Sequence, residues 1–263
     1  MIGVIEIKDY FRPKSVEEAY EKLINIEGAE IIGSGAFMRL ASRKINLAID
    51  LQDTGLNYVK LEKDEIKIGG ATPLGEVERS EIIKEVFEGK LIHVLQSIWS
   101  VQLRNIATIG GTIFPKLGFS DLITALLVLN TDVVLFNNGR MPLEVFLTEK
   151  IRKDILVELI IKNENRKMSF QYMRNSFYDF SILNSAVSVD EERNFRISIG
   201  ARPAVAKLAT KAMEYLKNNN DIEEASKLAA EEMEYGSNIK ASKEYRKMIA
   251  PVLVKRGLEE VIQ

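Results

Sequence analysis

Two short runs carry residues whose type and spacing suit the binding of an anionic cofactor: Ile31-Ile32-Gly33-Ser34-Gly35-Ala36-Phe37 and Thr108-Ile109-Gly110-Gly111-Thr112. Glycine admits positive φ and lets a bulky group come close to the peptide N–H. Successive N–H groups turned inward form a nest for an anion such as phosphate. Two nests would suit the two phosphates of a dinucleotide. Each run also reads as an ordinary turn, because glycine pairs punctuate loops in general; Gly69-Gly70 has the same look and reads as a plain turn. Neither run is a Rossmann or P-loop fingerprint. Gly33-Ser34-Gly35 lacks the third glycine, with Arg39-Leu40 near its place, and no Gly-Lys-Ser/Thr follows either run.

Side-chain chemistry is sparse by comparison. The 263 residues hold no cysteine, which excludes disulfides, thiolate metal sites, cysteine-bound iron–sulfur clusters and cysteine nucleophiles. The lone His93 sits among Leu91, Ile92, Val94 and Leu95 and reads as a helix-face histidine rather than a ligand or base. Glu17-Glu18, Glu231-Glu232 and Lys255-Arg256 read as solvated helix faces. With 36 basic and 38 acidic residues the net charge is −2, which offers no field for nucleic acid. The strongest apolar run, around Leu122–Leu129, falls well short of a membrane span. Glu6 arrives too early for a signal-peptide core, so a cytoplasmic, reducing setting is expected.

The elements that must position these runs follow from periodicity. Strands are expected at Val4–Ile7, Glu30–Ile32, Ile45–Leu51, Asp132–Phe136 and Ile155–Ile161, with a hairpin from Tyr58–Leu61 to Glu65–Ile68 and a hairpin turn signal at Asn137-Asn138-Gly139. Ser15 and Glu18 form a capping-box pattern at the head of an amphipathic helix, Val16–Ile26. Leu74 opens a helical stretch, and Leu91–Trp99 and Asp121–Leu129 are further helices, with Trp99 read as core. Ile106–Ile109 reads as a β-prone run leading into Gly110-Gly111. After residue 163 the character changes: strands at Met168–Met173, Ile182–Val189 and Phe195–Ile199, then helices at Ala204–Leu216, Ile222–Met233 and Ser242–Val261. The fold class is α+β, with an amino-terminal portion 1–163, in subdomains of 1–55 and 56–163, and a strand-then-helix carboxy-terminal portion 164–263.

The order of these landmarks resembles the FAD-binding medium subunit of molybdenum hydroxylases, the group of xanthine, carbon monoxide and nicotinate dehydrogenases. The specific stretch is Gln102-Leu103-Arg104-Asn105-Ile106-Ala107-Thr108-Ile109-Gly110-Gly111-Thr112-Ile113 with Ser120-Asp121-Leu122 and Ala125-Leu126-Leu127, similar to Q-[IL]-R-N-x-A-T-[IV]-G-G-N-[IL] and S-D-x-x-x-x-L-L. Tyr10–Ser15, Gly200–Ala204, Tyr245-Arg246-Lys247 and Val252–Leu258 are weaker landmarks. The resemblance implies a two-part vanillyl-alcohol-oxidase-type FAD-binding domain followed by a small carboxy-terminal domain. It implies FAD as cofactor, an iron–sulfur small subunit and a molybdenum-cofactor large subunit as partners, and NAD as one possible electron acceptor; no catalytic residue and no metal ligand is expected on this chain.

By the same resemblance, the phosphate loops fall on Ile31–Phe37 and Thr108–Thr112, Asp121 bonds hydroxyls of the FAD chain, and Ile98 and Leu156 are apolar neighbours of the flavin. Three departures are visible. The first loop is Gly33-Ser34-Gly35-Ala36-Phe37 where the family reads A-G-G-[TH]-[DS]-L, and Thr112 replaces an Asn. In Y/F-x-K-x-x-x-R-x-x-D-[FY]-[AS], Phe170, Asp179, Phe180 and Ser181 match, but Tyr172 replaces the Lys and Ser176 the Arg; Tyr172 is then placed to stack on or bond to the flavin. A stand-alone flavin oxidoreductase and a flavin-free scaffold subunit are the alternatives.

Overall fold

The computed structural model describes residues 5–33, 35, 38 and 42–263. In chain order its elements are β1 (Ile5–Ile7), β2 (Tyr10–Phe11), α1 (Val16–Asn25), β3 (Ala29–Ile31), β4 (Arg43–Ile45), β5 (Leu47–Ile49), β6 (Val59–Glu62), β7 (Glu65–Gly69), α2 (Leu74–Arg79), α3 (Glu81–Glu85), α4 (Lys90–Ser97), α5 (Val101–Ile106), α6 (Ile109–Ile113), α7 (Asp121–Leu127), β8 (Thr131–Leu135), β9 (Gly139–Pro142), α8 (Leu143–Thr148), β10 (Leu156–Lys162), β11 (Arg166–Met173), β12 (Leu183–Asp190), β13 (Phe195–Gly200), β14 (Lys207–Leu208), α9 (Thr210–Asn218), α10 (Ile222–Glu231) and α11 (Lys243–Ile262). They gather into two compact units that interleave along the chain. The first takes the chain up to Ser80, then Ser100–Pro115 and Asp132–Ile160; the second takes Glu81–Trp99, Lys116–Thr131 and Ile161–Gln263.

In the first unit α1 begins where expected, because the Ser15 hydroxyl accepts the Glu18 N–H at 3.2 Å. Its apolar face, Ala19 and Leu23, packs on a parallel three-stranded sheet ordered β2-β5-β3, with Leu47 and Ile49 beneath. A second sheet, ordered β6-β7-β10-β8-β9, contains the two antiparallel hairpins read from the sequence. The Asn137-Asn138-Gly139 turn is held by Asp154, whose carboxylate accepts the Asn137 and Asn138 N–H groups at 3.0 and 3.1 Å. Burial of apolar side chains on these faces is the main stabilising term.

The second unit is an antiparallel meander, β11-β12-β13-β14, covered on both faces. Leu183 and Val187 of β12 point into a core shared with Leu253, Val254 and Leu258 of α11. Alternate residues of the same strand face α7 through polar contacts: Thr124 Oγ1 donates to Asn184 Oδ1 at 2.9 Å, and Ser188 Oγ to the Val128 carbonyl at 2.5 Å. β12 is thus buried over Leu183–Ser188 despite its serines and asparagine, because each polar side chain that faces α7 finds a partner there.

Several sequence expectations change. Ile106–Ile109 is no strand: α5 ends at Ile106 and α6 starts at Ile109. Two caps override the β-branched residues, the Ser100 hydroxyl on the Leu103 N–H (3.0 Å) and the Thr108 hydroxyl on the Gly111 N–H (3.1 Å). Ile45–Leu51 breaks at Asn46 into β4 and β5. The helix expected from Ala204 starts only at Thr210, since Lys207 and Leu208 pair with Ile199 and Ser198 as the edge strand β14. Trp99 is 40% exposed and is not core. His93 lies on the exposed face of α4.

A candidate cofactor cradle

β3 delivers Ile31, Ile32 and Gly33 to one side of a cleft, with the Ile32 N–H fixed on the Ile49 carbonyl at 2.9 Å. The other side is built where the chain after β7 crosses the start of α6. There the Leu74 N–H donates to the Ala107 carbonyl (2.8 Å), Ile109 to Thr72 (3.0 Å) and Gly110 to Gly70 (2.7 Å). These backbones touch. A Cβ on Gly110 would stand 2.8 Å from the Gly70 carbonyl oxygen, and one on Gly70 only 1.9 Å from that of Leu156. Gly70 is therefore no plain turn; it is where the backbone of α6 rests.

The two glycine runs meet. A Cβ on Gly33 would lie 2.7 Å from the Thr108 hydroxyl and 3.3 Å from the Gly111 Cα. Ile31, Ile32, Gly33, Thr108, Gly110, Gly111 and Leu156 line one cavity of about 870 Å³. Ser34, Ala36 and Phe37 lie outside the described residues. Gly35 has φ +66° and open space where a side chain would be, and Thr112 is spent on the Thr108 carbonyl (2.8 Å).

The hydrogen-bond inventory corrects one expectation. The N–H groups of Ile109, Gly110, Gly111 and Thr112 all donate inside this unit, to Thr72, Gly70, the Thr108 hydroxyl and the Thr108 carbonyl. The second run is therefore no nest of inward-turned amides. Its glycines permit close approach, and the polar group it offers is the Thr108 hydroxyl. That oxygen accepts from Gly111, and no described residue takes its proton. At the cavity edge Asp50 accepts the Tyr10 phenol at 2.6 Å, which pushes that phenol's pKa up.

In the second unit, Asp121, Ile98 and Tyr172 converge on a residue the sequence reading passed over, Arg174. Its Nη1 donates to the Ser97 carbonyl at 2.8 Å, on the peptide that leads into Ile98, and its Nη2 donates to Asp121 Oδ2. Its guanidinium lies over the Tyr172 ring, 4.3 Å from the centroid. Asp121 is 8% exposed and already surrounded: Oδ1 accepts from Ser181 (2.7 Å) and Asn184 (2.6 Å), and Oδ2 also faces Ser97 Oγ (3.3 Å). Its carboxylate thus organises its own unit. Arg174 carried one sequence signal, a cation two residues beyond Tyr172 at the end of a mostly apolar strand. Ser176 leads into a loop where Asp179 pairs with Lys240, whose ammonium holds that carboxyl below the usual range.

A glycine-walled cavity in an α+β unit, with a second unit of an antiparallel meander and helices, defines a two-part α+β protein with room for a bound cofactor. The chain belongs to the molybdenum hydroxylase flavoprotein family. Residues 5–163 match the model described as "FAD binding domain in molybdopterin dehydrogenase", and residues 168–261 the "CO dehydrogenase flavoprotein C-terminal domain". It is 26% identical over 251 residues to Escherichia coli K12 protein YgfM, covering 94% of each chain. It is 22% identical over 278 residues to the glyceraldehyde dehydrogenase medium chain of Sulfolobus acidocaldarius, covering 96% of this chain and 97% of that one. The fold matches carbon monoxide dehydrogenase from Hydrogenophaga pseudoflava which lacks the Mo-pyranopterin moiety of the molybdenum cofactor, at TM-score 0.88 and 22% identity, over 100% of this chain and 99% of that one. FAD is the cofactor of this family. The cradle fits it: bare glycine backbone at Gly33, Gly110 and Gly111 lines the cavity wall, and the Thr108 hydroxyl lies beside Gly33.

Proposed function

We propose that this chain is the electron-transfer subunit of a molybdenum-dependent hydroxylase or dehydrogenase, working in the cytoplasm beside an iron–sulfur subunit and a molybdenum-cofactor subunit. In this reading residues 1–163 form the FAD-binding domain and 164–263 the carboxy-terminal domain. FAD, when bound, supplies the redox chemistry and connects one-electron clusters to an external acceptor such as NAD. The chain's own residues bind and orient. Gly33, Gly110 and Gly111 present bare backbone to the diphosphate at the cavity wall, the Thr108 hydroxyl donates to it, and Leu156 lies against the flavin. By the family resemblance Ile98 and Tyr172 are flavin neighbours; within their own unit Arg174 holds the Ser97–Ile98 peptide, Asp121 and the Tyr172 ring.

The observation that carries this reading is the approach of Gly33 to Thr108 and Gly111 at the wall of one large cavity. The test is the purified chain. Its visible spectrum should show flavin bands at one FAD per chain, and Gly111→Val should abolish them. A tagged chain in its native host should bring down a cysteine-rich chain and a molybdenum-containing chain. A colourless wild type that takes up no added FAD would leave only a scaffold role, and a yellow chain that purifies alone would favour a stand-alone oxidoreductase.

A further inference from the structure

Arg104 and Asn105 belong to the most specific sequence motif, yet the cradle leaves them without a task. Arg104 of α5 is only 6% exposed. Its guanidinium is laid on the Glu78 carboxylate of α2, Nε to Oε2 at 2.6 Å and Nη2 to Oε1 at 3.2 Å. Such a two-pronged ion pair fixes orientation as well as distance. Beside it, Arg79 Nη1 donates to Asn105 Oδ1 at 3.0 Å. A Cβ on Gly75 would stand 2.3 Å from that same oxygen, so α2 and α5 are packed with no slack.

Both helices lead directly into the cradle. α5 runs into Ala107 and Thr108, and α2 starts just after Gly70 and Thr72, whose carbonyls receive Gly110 and Ile109. The two helices are pinned at the cradle end by the Leu74 N–H on the Ala107 carbonyl, 2.8 Å. Glu78 and Arg104 pin them again one helical turn further along α2.

We propose that the Glu78–Arg104 pair is the positioning lock of the cradle: by holding α5 on α2 it sets where the Thr108 hydroxyl stands relative to Gly33. Neither residue touches the cofactor. The proposal rests on the FAD reading above.

The test uses the full chain. FAD affinity is measured by flavin fluorescence titration, and the melting temperature of the FAD-free chain is followed alongside. Arg104→Met and Glu78→Gln should weaken FAD binding by at least about tenfold under conditions where both remain folded. Arg104→Lys, which keeps the charge but loses the fork, should recover part of that. The control is Arg166→Met in the second unit, where a similarly buried arginine pairs with Asp190 at 2.9 Å. It should lower the melting temperature and leave FAD affinity at the wild-type value. Wild-type affinity in both Arg104→Met and Glu78→Gln overturns the proposal, as does an equal loss in Arg166→Met. If Arg104→Met fails to fold, Glu78→Gln, which removes only a charge, decides. A wild-type chain that takes up no FAD would instead overturn the flavin reading, and this proposal with it.

Discussion

Gly33 and Thr108 face each other with no room for another atom, and this fixes what each can become. Gly33→Ala would place a methyl 2.7 Å from the Thr108 hydroxyl. FAD affinity should fall at least about tenfold in that variant, a loss of roughly 1.4 kcal/mol read by titration. Thr108→Val keeps the shape but removes both the proton offered to the cleft and the acceptor for the Gly111 N–H. It should weaken FAD and also cost about 1 kcal/mol of stability through the lost cap, whereas Thr108→Ser should keep both. A second residue-scale prediction concerns acid. Burial alone would raise the Glu260 carboxyl, but the Lys90 ammonium and the Ser169 and Gln171 donors outweigh it, so its folded pKa is lowered. A lowered carboxylate stabilises the fold above its unfolded pKa and loses that contribution as pH falls through the folded value. Melting temperature should therefore drop on acidification below about pH 4, and Glu260→Gln should flatten that part of the profile.

At the scale of elements, caps decide more than intrinsic preference. Ser100 heads α5 at φ 76° and ψ 122°, a region that disfavours any side chain, and its hydroxyl still accepts the Leu103 N–H. Ser100→Gly relieves the backbone and gives up a cap worth only a few tenths of a kcal/mol over glycine, so it should be neutral to slightly stabilising. Ser100→Ala keeps the strain and loses the cap, and should destabilise by about 1 kcal/mol; denaturant midpoints compare the two. Gly257 of α11 meets β12 where a Cβ would stand 2.8 Å from Val187 Cγ2. Gly257→Ala should cost about 1–3 kcal/mol by overpacking, and Val187→Ala should rescue part of it, a non-additivity that a double-mutant cycle would expose.

These elements show what was legible in the sequence. The Ser15 cap, the Asn137–Gly139 hairpin and the long carboxy-terminal helix announce themselves through local chemistry, and the structure holds each one. The run Ile106–Ile109 reads as β because β-branched residues dominate it, yet the caps at Ser100 and Thr108 make it helix. Ala204–Leu208 misleads in the opposite direction: its alanines favour helix, but the free edge of β13 recruits Lys207 and Leu208. The glycines of the cradle could be found from sequence. That the Ile109 and Gly110 amides are spent internally could not, because their partners Thr72 and Gly70 lie far off in the chain. Arg174 was missed for the same reason, since its meaning comes from Ser97 and Asp121.

The interleaving of the two units governs the molecule as a whole. The natural break in composition falls after residue 163, but the core of the second unit draws on α4 and α7, which precede it by many residues. Without α7, Asn184, Ser188 and Ser198 lose Thr124 and the Val128 and Thr124 carbonyls as partners. Each such stranded polar group costs about 1–3 kcal/mol if it stays buried. Conversely, a fragment of residues 1–163 would leave Leu122, Ile123 and Leu126, each at most 2% exposed in the whole chain, with nothing to pack on. Each half cut at 163/164 should therefore be poorly folded alone, with native-like circular dichroism lost and a hydrophobic dye bound. Co-expression of the two halves should restore a folded, FAD-competent pair, because the units require both segments but not the peptide bond between them. Independent folding of 164–263, with sharp thermal unfolding and no dye binding, would show that the meander and its carboxy-terminal helices are self-sufficient and that α4 and α7 merely decorate them.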